Sequence, residues 1–234
     1  ADAMTPRQDL ALTFTGGANN TVVMADKVNT EYTARYSASE WTIETWVCPG
    51  AALGAGYYPL ISRRVIETGL RNYELGLLNG QPYVLFDAPD GTQVRALAGS
   101  QVPMGGWIHL AGRFDLGDDG NENALAILIN GVSVAATMTG AVAPVGAGDL
   151  ILGSSGFVGQ MLNTRIWRMP QSDEEIVGMM GSELQGGNMG PMYGYLDLNG
   201  FGHVKESAVT VKSNGETIDM LHENRTLECW VKVP

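Results

Sequence analysis

The sequence predicts an all-β protein, an antiparallel sandwich or barrel with one short helix near the end of its main body. Three observations carry that prediction. Apolar and polar residues alternate with period two through several short segments. Asn-Gly dipeptides join two pairs of these segments. Clusters of Gly, Asn, Asp and Pro separate the rest at the spacing of hairpins.

The first alternation is Leu10, Leu12 and Phe14, the next Trp41, Ile43, Thr45 and Val47, and the third Tyr73, Leu75 and Leu77. Each is the pattern of a half-buried strand. Further strands are expected at 83–86, 93–97, 108–114, 124–129, 132–136, 150–152 and 159–167. Asn79-Gly80 and Asn130-Gly131 each lie between apolar alternations, where Asn-Gly supplies the positive φ angles of a type I′ hairpin. Such turns fix register, and register decides which face is buried. The buried face is predicted to comprise Leu12, Phe14, Ile43, Val47, Leu75, Ile127 and Ile129. One helix is expected over 173–180, because Ser172 can cap it with Glu175 three residues later to close a capping box. Gly181 would end it.

Composition narrows the function. The chain has 234 residues, 44% of them hydrophobic and 17% charged, which describes one globular domain with room for part of a second. With 14 Lys and Arg against 25 Asp and Glu the formal charge is -11, so a phosphate backbone would be repelled and nucleic acid is not an expected partner. No apolar run approaches the ~20 residues needed to cross a bilayer, and membrane insertion is not expected. The segment 1–9 has neither a basic region nor an apolar one of signal-peptide type, so the expectation is a soluble chain from which any export signal has gone. Two cysteines, Cys48 and Cys229, are too few for a disulfide framework. Two free thiols are expected.

Laid end to end, these segments resemble the laminin-G-like branch of the concanavalin A-like lectin/glucanase superfamily, a branch similar to pentraxins. The resemblance covers roughly residues 10–181. It is carried by Ala11-Leu12-Thr13-Phe14-Thr15-Gly16, by Trp41-Thr42-Ile43-Glu44-Thr45-Trp46-Val47, and by Tyr73-Glu74-Leu75-Gly76-Leu77 with Asn79-Gly80. It continues through Trp107-Ile108-His109-Leu110-Ala111-Gly112-Arg113-Phe114-Asp115, Ile129-Asn130-Gly131, Leu150-Ile151-Leu152-Gly153-Ser154, Phe157-Val158-Gly159-Gln160 and Arg165-Ile166-Trp167. The resemblance implies a two-sheet antiparallel jelly-roll sandwich with one short C-terminal helix. It also implies a module of a larger secreted or surface protein that binds glycans or proteins and often carries calcium.

The C-terminal stretch repeats the beginning of the chain. Ala208-Val209-Thr210-Val211 reads like Ala11-Leu12-Thr13-Phe14, and Thr217-Ile218-Asp219-Met220 like Thr21-Val22-Val23-Met24. Thr226-Leu227-Glu228-Cys229-Trp230-Val231 reads like Thr42-Ile43-Glu44-Thr45-Trp46-Val47. The matches keep their order. The predicted organisation is a sandwich over 1–200 followed by a partial second unit or shared strands over 201–234. Part of a sandwich cannot bury its own apolar face, and strand sharing with a further module or a neighbouring subunit is favoured over folding back, so a tandem module or homo-oligomer is expected.

Catalysis on this fold would need two carboxylates flanking one glycosidic bond. The glucanases of the superfamily carry a Glu-x-Asp-x-x-Glu repeat, and this sequence departs from them there. Glu44 and Glu74 are single carboxylates on separate strands, expected to pair with Arg or Lys. His109 is an ordinary strand residue with no Ser or Cys nucleophile beside it, and His203 and His222 have no metal spacing. No catalytic residue is assigned.

The densest set of oxygen ligands is the loop 115–123, and Asp115, Asp118, Asp119, Asn121 and Glu122 are the candidate ligands for calcium, which takes six to eight oxygens. The bland alternative is a solvated hairpin. Asp87 and Asp90 form a second candidate turn with ordinary turn chemistry. Among the aromatics, Tyr57, Tyr58, Tyr83, Trp107 and Trp167 could offer flat platforms to sugar rings. Only Tyr57 and Tyr58, in the Gly-rich loop 54–59, are expected to be exposed, and these two are the ligand-binding candidates.

The sequence therefore predicts a non-catalytic recognition module with a glycan or protein ligand, calcium as candidate cofactor, and an extracellular or surface location. The alternatives are a structural assembly protein joined by shared strands and, disfavoured, a polysaccharide-degrading enzyme.

Overall fold

Among the described residues, two antiparallel sheets face one another across a continuous apolar core, and one helix lies on the outside of one of them. The computed structural model describes residues 11–18, 21–25, 36–117, 123–181, 192–196, 208–213 and 216–218. In chain order the strands are β1 (Leu12–Thr15), β2 (Thr21–Ala25), β3 (Trp41–Pro49), β4 (Tyr57–Arg64), β5 (Arg71–Leu78), β6 (Gln81–Asp87), β7 (Gln93–Leu97) and β8 (Ile108–Asp115). They continue with β9 (Asn123–Ile129), β10 (Val132–Thr139), β11 (Leu150–Leu152), β12 (Val158–Trp167), β13 (Met192–Leu196), β14 (Ala208–Ser213) and β15 (Glu216–Ile218). Helix α1 spans Asp173–Met180. Sheet A runs β1-β12-β3-β8-β9-β10 with β13 also on β12, and sheet B runs β15-β14-β2-β11-β4-β5-β6-β7.

The alternations place one apolar row of each strand between the sheets. Phe14, Trp41, Ile43, Val47, Tyr73, Leu75, Leu77, Val84, Phe86, Phe114, Leu125 and Ile127 belong to one buried cluster. Rings meet at its centre, with Phe86 and Phe114 4.6 Å apart and Trp41 touching both Tyr73 and Phe114. Leu12 and Ile129, predicted as core, are only half-buried at its margin, because Leu12 begins the edge strand β1 and Ile129 ends β9 at its turn. Both Asn-Gly turns form as expected. Asn79 and Gly80 take φ of 51° and 83°, Asn130 and Gly131 φ of 50° and 77°, and the hairpins β5–β6 and β9–β10 result.

One irregularity rearranges the outer face of sheet A. On β12, Leu162 pairs with Trp46 and Arg165 pairs with Glu44, so Asn163 and Thr164 together face Thr45. Asn163 takes a left-handed φ of 52°, which Asn tolerates. The Thr45 hydroxyl lies 3.2 Å from the Leu162 carbonyl and 2.9 Å from the Thr164 hydroxyl, which ties the bulge down. The extra residue reverses the in-out order of β12, and Arg165 and Trp167 come to the side of the sheet that carries Glu44.

Helix α1 covers that side. Ser172 and Glu175 form the predicted capping box, and Ile176, fully buried, packs on Ala111, Ala126 and Leu128. The last carbonyls of a helix have no partner within it. Here Met179 O accepts from Arg165 Nη1 and Met180 O from Trp46 Nε1, both at 2.7 Å. Arg113 Nη1 holds the first turn through Asp173 Oδ1 and the Gln171 carbonyl, each at 2.8 Å.

Strand β14 joins sheet B of its own chain, antiparallel to β2, with Ala208 opposite Ala25 and Lys212 opposite Thr21. Strand β15 hairpins back on β14. The boundary expected at residue 200 and the segment with Leu227, Cys229 and Val231 lie outside the described residues. Cys48 is a half-buried free thiol whose pKa burial raises, and Cys229 is likewise outside them.

Candidate functional site

The two sheets turn two different polar clusters away from the core. On sheet A, Glu44 is completely buried beneath α1. Its Oε1 accepts from Trp167 Nε1 at 2.8 Å and lies 3.5 Å from Arg165 Nη1, while His109 Nε2 lies 3.1 Å from Oε2. Burial pushes the Glu44 carboxyl up, but its contacts with His109, Arg165 and Trp167 outweigh that and hold it below the usual carboxylate range. Charge here is enclosed and paired. The expected Arg partner of Glu44 is thus present, and His109, 1% exposed, adds a second contact to the same carboxylate.

On sheet B the cluster reaches solvent. Along β5 and β6, Leu75, Leu77, Val84 and Phe86 point into the core, so Glu74, Gly76, Tyr83 and Asp87 point out. Tyr83 stands opposite Gly76, and a Cβ at that glycine would lie 2.7 Å from the Tyr83 hydroxyl and 2.5 Å from the Tyr58 carbonyl. Glycine is therefore what lets the Tyr83 ring lie along the sheet. Tyr57, at the start of β4, stacks on Tyr83 with centroids 5.3 Å apart and planes 14° from parallel. One face of the Tyr57 ring is thereby occupied. The residue remains 45% exposed.

Beneath the two rings runs a closed set of hydrogen bonds. Glu74 Oε1 accepts from the Tyr57 hydroxyl, from the Tyr83 hydroxyl at 3.0 Å and from Arg71 Nη1 at 3.3 Å. Arg71 Nη1 also donates to the Tyr57 oxygen at 3.1 Å. Asp87 receives Arg71 Nε on Oδ2 at 2.9 Å, Nη2 on Oδ1 at 2.6 Å, and the Arg71 backbone N–H on Oδ2 at 2.9 Å. Burial, reinforced by the negative charge of Glu74, pushes the Tyr83 phenol far up. Burial and the hydrogen bond to Glu74 raise Tyr57 as well. Burial alone would raise Asp87, yet the Arg71 contacts bring it below its ordinary value. Both tyrosines are therefore neutral donors at neutral pH, clamped between a carboxylate and a guanidinium.

The predicted site residues separate under this geometry. Tyr57 is exposed as expected, but it belongs to a strand and not to the loop 54–59, since it pairs with Leu78 across β4–β5. Tyr58, its strand neighbour, points the other way and is half-buried against the core. Tyr83 and Trp167 are buried and Trp107 half-buried. Asp87 is held by Arg71, and Asp90 accepts from the Thr92 N–H at 2.8 Å, an ordinary Asx-turn. Asp115 likewise accepts from the Gly117 N–H at 2.9 Å. The other calcium candidates, Asp118, Asp119, Asn121 and Glu122, lie outside the described residues, as do His203 and His222. Among the described residues no three His, Cys, Asp or Glu side chains gather as a metal site would. Glu44 and Glu74 stand on opposite outer faces of the sandwich, so they cannot flank one bond. Arg71 was missed in the sequence. Its signal was the pairing of a basic residue at the start of β5 with Asp87 at the end of the adjoining β6.

The two-sheet antiparallel sandwich defines the class of protein, and the sequence comparison agrees with that fold. The model of the laminin-G group, described as the concanavalin A-like lectin/glucanases superfamily, matches residues 17–177, and the chain belongs to that family. Curated protein sequences give no match. Among solved structures, the chain is similar to the CBM40 domain of the Ruminococcus gnavus IT-sialidase, bound to alpha2,3-sialyllactose, with a TM-score of 0.55 and 14% identity over 72% of this chain and 95% of that one. A putative carbohydrate binding protein from Bacteroides ovatus gives 0.53 and 16% identity over 90% of this chain and 56% of that one. The heptameric SAP-like pentraxin of Limulus polyphemus gives 0.50 and 10%, over 69% and 81%. At these identities the shared feature is the fold. The chain spans little more than half of the Bacteroides protein.

Proposed function

We propose that the chain is a glycan-binding module of a secreted or surface protein and that the outer face of sheet B, around Tyr57, is where the glycan sits. The observation that carries this reading is the Tyr57 ring, held by its stack on Tyr83 and by its hydroxyl contacts, yet 45% exposed. A pyranose presents a patch of C–H groups that packs on such a face. Because the ring is already fixed, binding does not pay the entropy of ordering it. Relatives of the same fold described as carbohydrate-binding support the reading.

The test is a glycan array followed by titration of any hit. Tyr57→Ala is expected to weaken binding at least tenfold while leaving the circular dichroism spectrum unchanged, since Tyr83 and Arg71 keep their contacts with Glu74. Equal binding by the variant would move the site elsewhere. The proposal extends to calcium at the loop 115–123, supported by the loop's oxygen-rich composition. A bound ion stabilises the folded state by mass action, so the melting temperature should rise with calcium and fall with chelator. The pair Asp118→Ala and Asp119→Ala should abolish that response, and a response left intact would place the ion elsewhere.

A further inference from the structure

We infer that the platform at Tyr57 takes neutral glycans and rejects acidic ones, because the guanidinium beside the ring is already spent on carboxylates and the polar atom left over beside it is a carboxylate oxygen. The inference rests on the glycan-binding reading and adds the charge class of the ligand.

A sugar carboxylate is recognised best by a guanidinium that can offer it two parallel N–H groups. Arg71 has no such pair to offer. Its Nε hydrogen goes to Asp87 Oδ2, one Nη2 hydrogen to Asp87 Oδ1, and the Nη1 group to the Tyr57 hydroxyl and Glu74 Oε1. That leaves a single Nη2 hydrogen outside these bonds. Asp87 already holds the guanidinium in the two-pronged geometry an acidic sugar would require.

Glu74 gives the same answer from the acceptor side. Its Oε1 takes three donors, whereas its Oε2 takes none among the described residues. An acceptor of this kind matches a sugar hydroxyl, which can donate, and repels a carboxylate, which cannot. Glu74 is only 2% exposed, so this oxygen acts on a sugar at Tyr57 through its charge, which repels a carboxylate and leaves a neutral pyranose unaffected. Arg71, Glu74 and Asp87 together carry one more negative charge than positive, which Arg64, close enough to lower the Asp87 carboxyl, offsets locally; the bias that remains comes from the wider field of a chain whose formal charge is -11. Two other cations share this face. Arg64, opposite Arg71 in the β4–β5 register, donates to the Gly69 carbonyl at 3.1 Å, and Arg95 lies on β7 opposite Leu85; both are exposed. They lie beside the cluster and make no hydrogen bond to Tyr57.

The experiment uses the full chain and pairs of related glycans of which one carries carboxylates and the other none, lactose against 3′-sialyllactose and methyl-esterified polygalacturonate against polygalacturonate, read on an array and by titration. Neutral members are expected to bind at least tenfold more tightly than their acidic partners. Asp87→Asn, which loosens the hold on Arg71, should narrow that ratio, and so should Glu74→Gln, which removes the repelling charge. The wild-type ratio decides the matter even if a variant fails to fold. An acidic partner bound as tightly as its neutral counterpart, or more tightly, would overturn the inference, and loss of that binding in Arg64→Ala would show which cation the structure left available. A chain that binds no glycan of either class would overturn the glycan-binding reading itself.

Discussion

Glu44 and Asp87 are carboxylates of opposite circumstance, one sealed under a helix and the other at the edge of an open face, yet both are held below their ordinary pKa by cationic neighbours that outweigh burial. A carboxyl whose folded-state pKa is depressed contributes stability that is fully present above its unfolded value. That contribution is lost as pH falls through the lower folded value. For Glu44 the unfolded reference is 4.5 and for Asp87 it is 3.8, so the melting temperature should be level near neutrality and fall steeply below about pH 4. Glu44→Gln removes the titrating group and takes from the buried Arg165 its carboxylate, though not its bond to Met179 O, which costs on the order of 3 kcal/mol at pH 7. The variant should begin lower and lose less on acidification. A thermal melt series from pH 7 to pH 3 checks both, and an unchanged acid slope would show that Glu44 is not what titrates.

Helix α1 and the bulge on β12 show what a linear pattern conveys and what it withholds. The helix limits were legible because each is set by neighbours along the chain, Ser172 with Glu175 one turn on at the start and Gly181 at the end. Its seat was not, since Ile176 meets Ala111, Ala126 and Leu128 only after β8 and β9 have paired. The two halves of the interaction predict different losses. Ser172→Ala should cost about 1 kcal/mol through the cap, whereas Ile176→Ala should cost about 2–5 kcal/mol through the cavity it leaves on sheet A. Chemical denaturation of the two variants would sink this ranking if the cap proved the more costly. The strands around Tyr73, Leu75 and Leu77 and both Asn-Gly turns were legible for the same local reason as the helix ends. The Tyr57 platform was only half legible. Gly54, Gly56 and Pro59 made its surroundings look like a loop, and its stacking partner Tyr83 sits two strands away across Gly76, a juxtaposition that no spacing encodes. Likewise, nothing in the 162–165 string announces that Asn163 reverses the order of β12 and delivers Arg165 to Glu44.

At the scale of the whole molecule, the C-terminal strands decide how sheet B ends. Strand β2 has β11 on one side and β14 on the other, so β14 supplies partners for backbone groups that would otherwise form an open edge. An open edge is a template for pairing with another chain. The expectation of strands shared between copies and the observed pairing within one chain are therefore two uses of the same edge, since whatever displaced β14 would expose β2 to a neighbour's strand. A chain ending at residue 206 should melt several degrees below one ending at residue 218, which keeps β14 and β15, because in a domain of this size each kcal/mol moves the midpoint by roughly 2–4 °C. The shorter chain should also associate, with an average mass in sedimentation that rises with concentration. If the two chains share one melting temperature and one mass, β14 contributes nothing to sheet B, and the edge of the sandwich lies at β2.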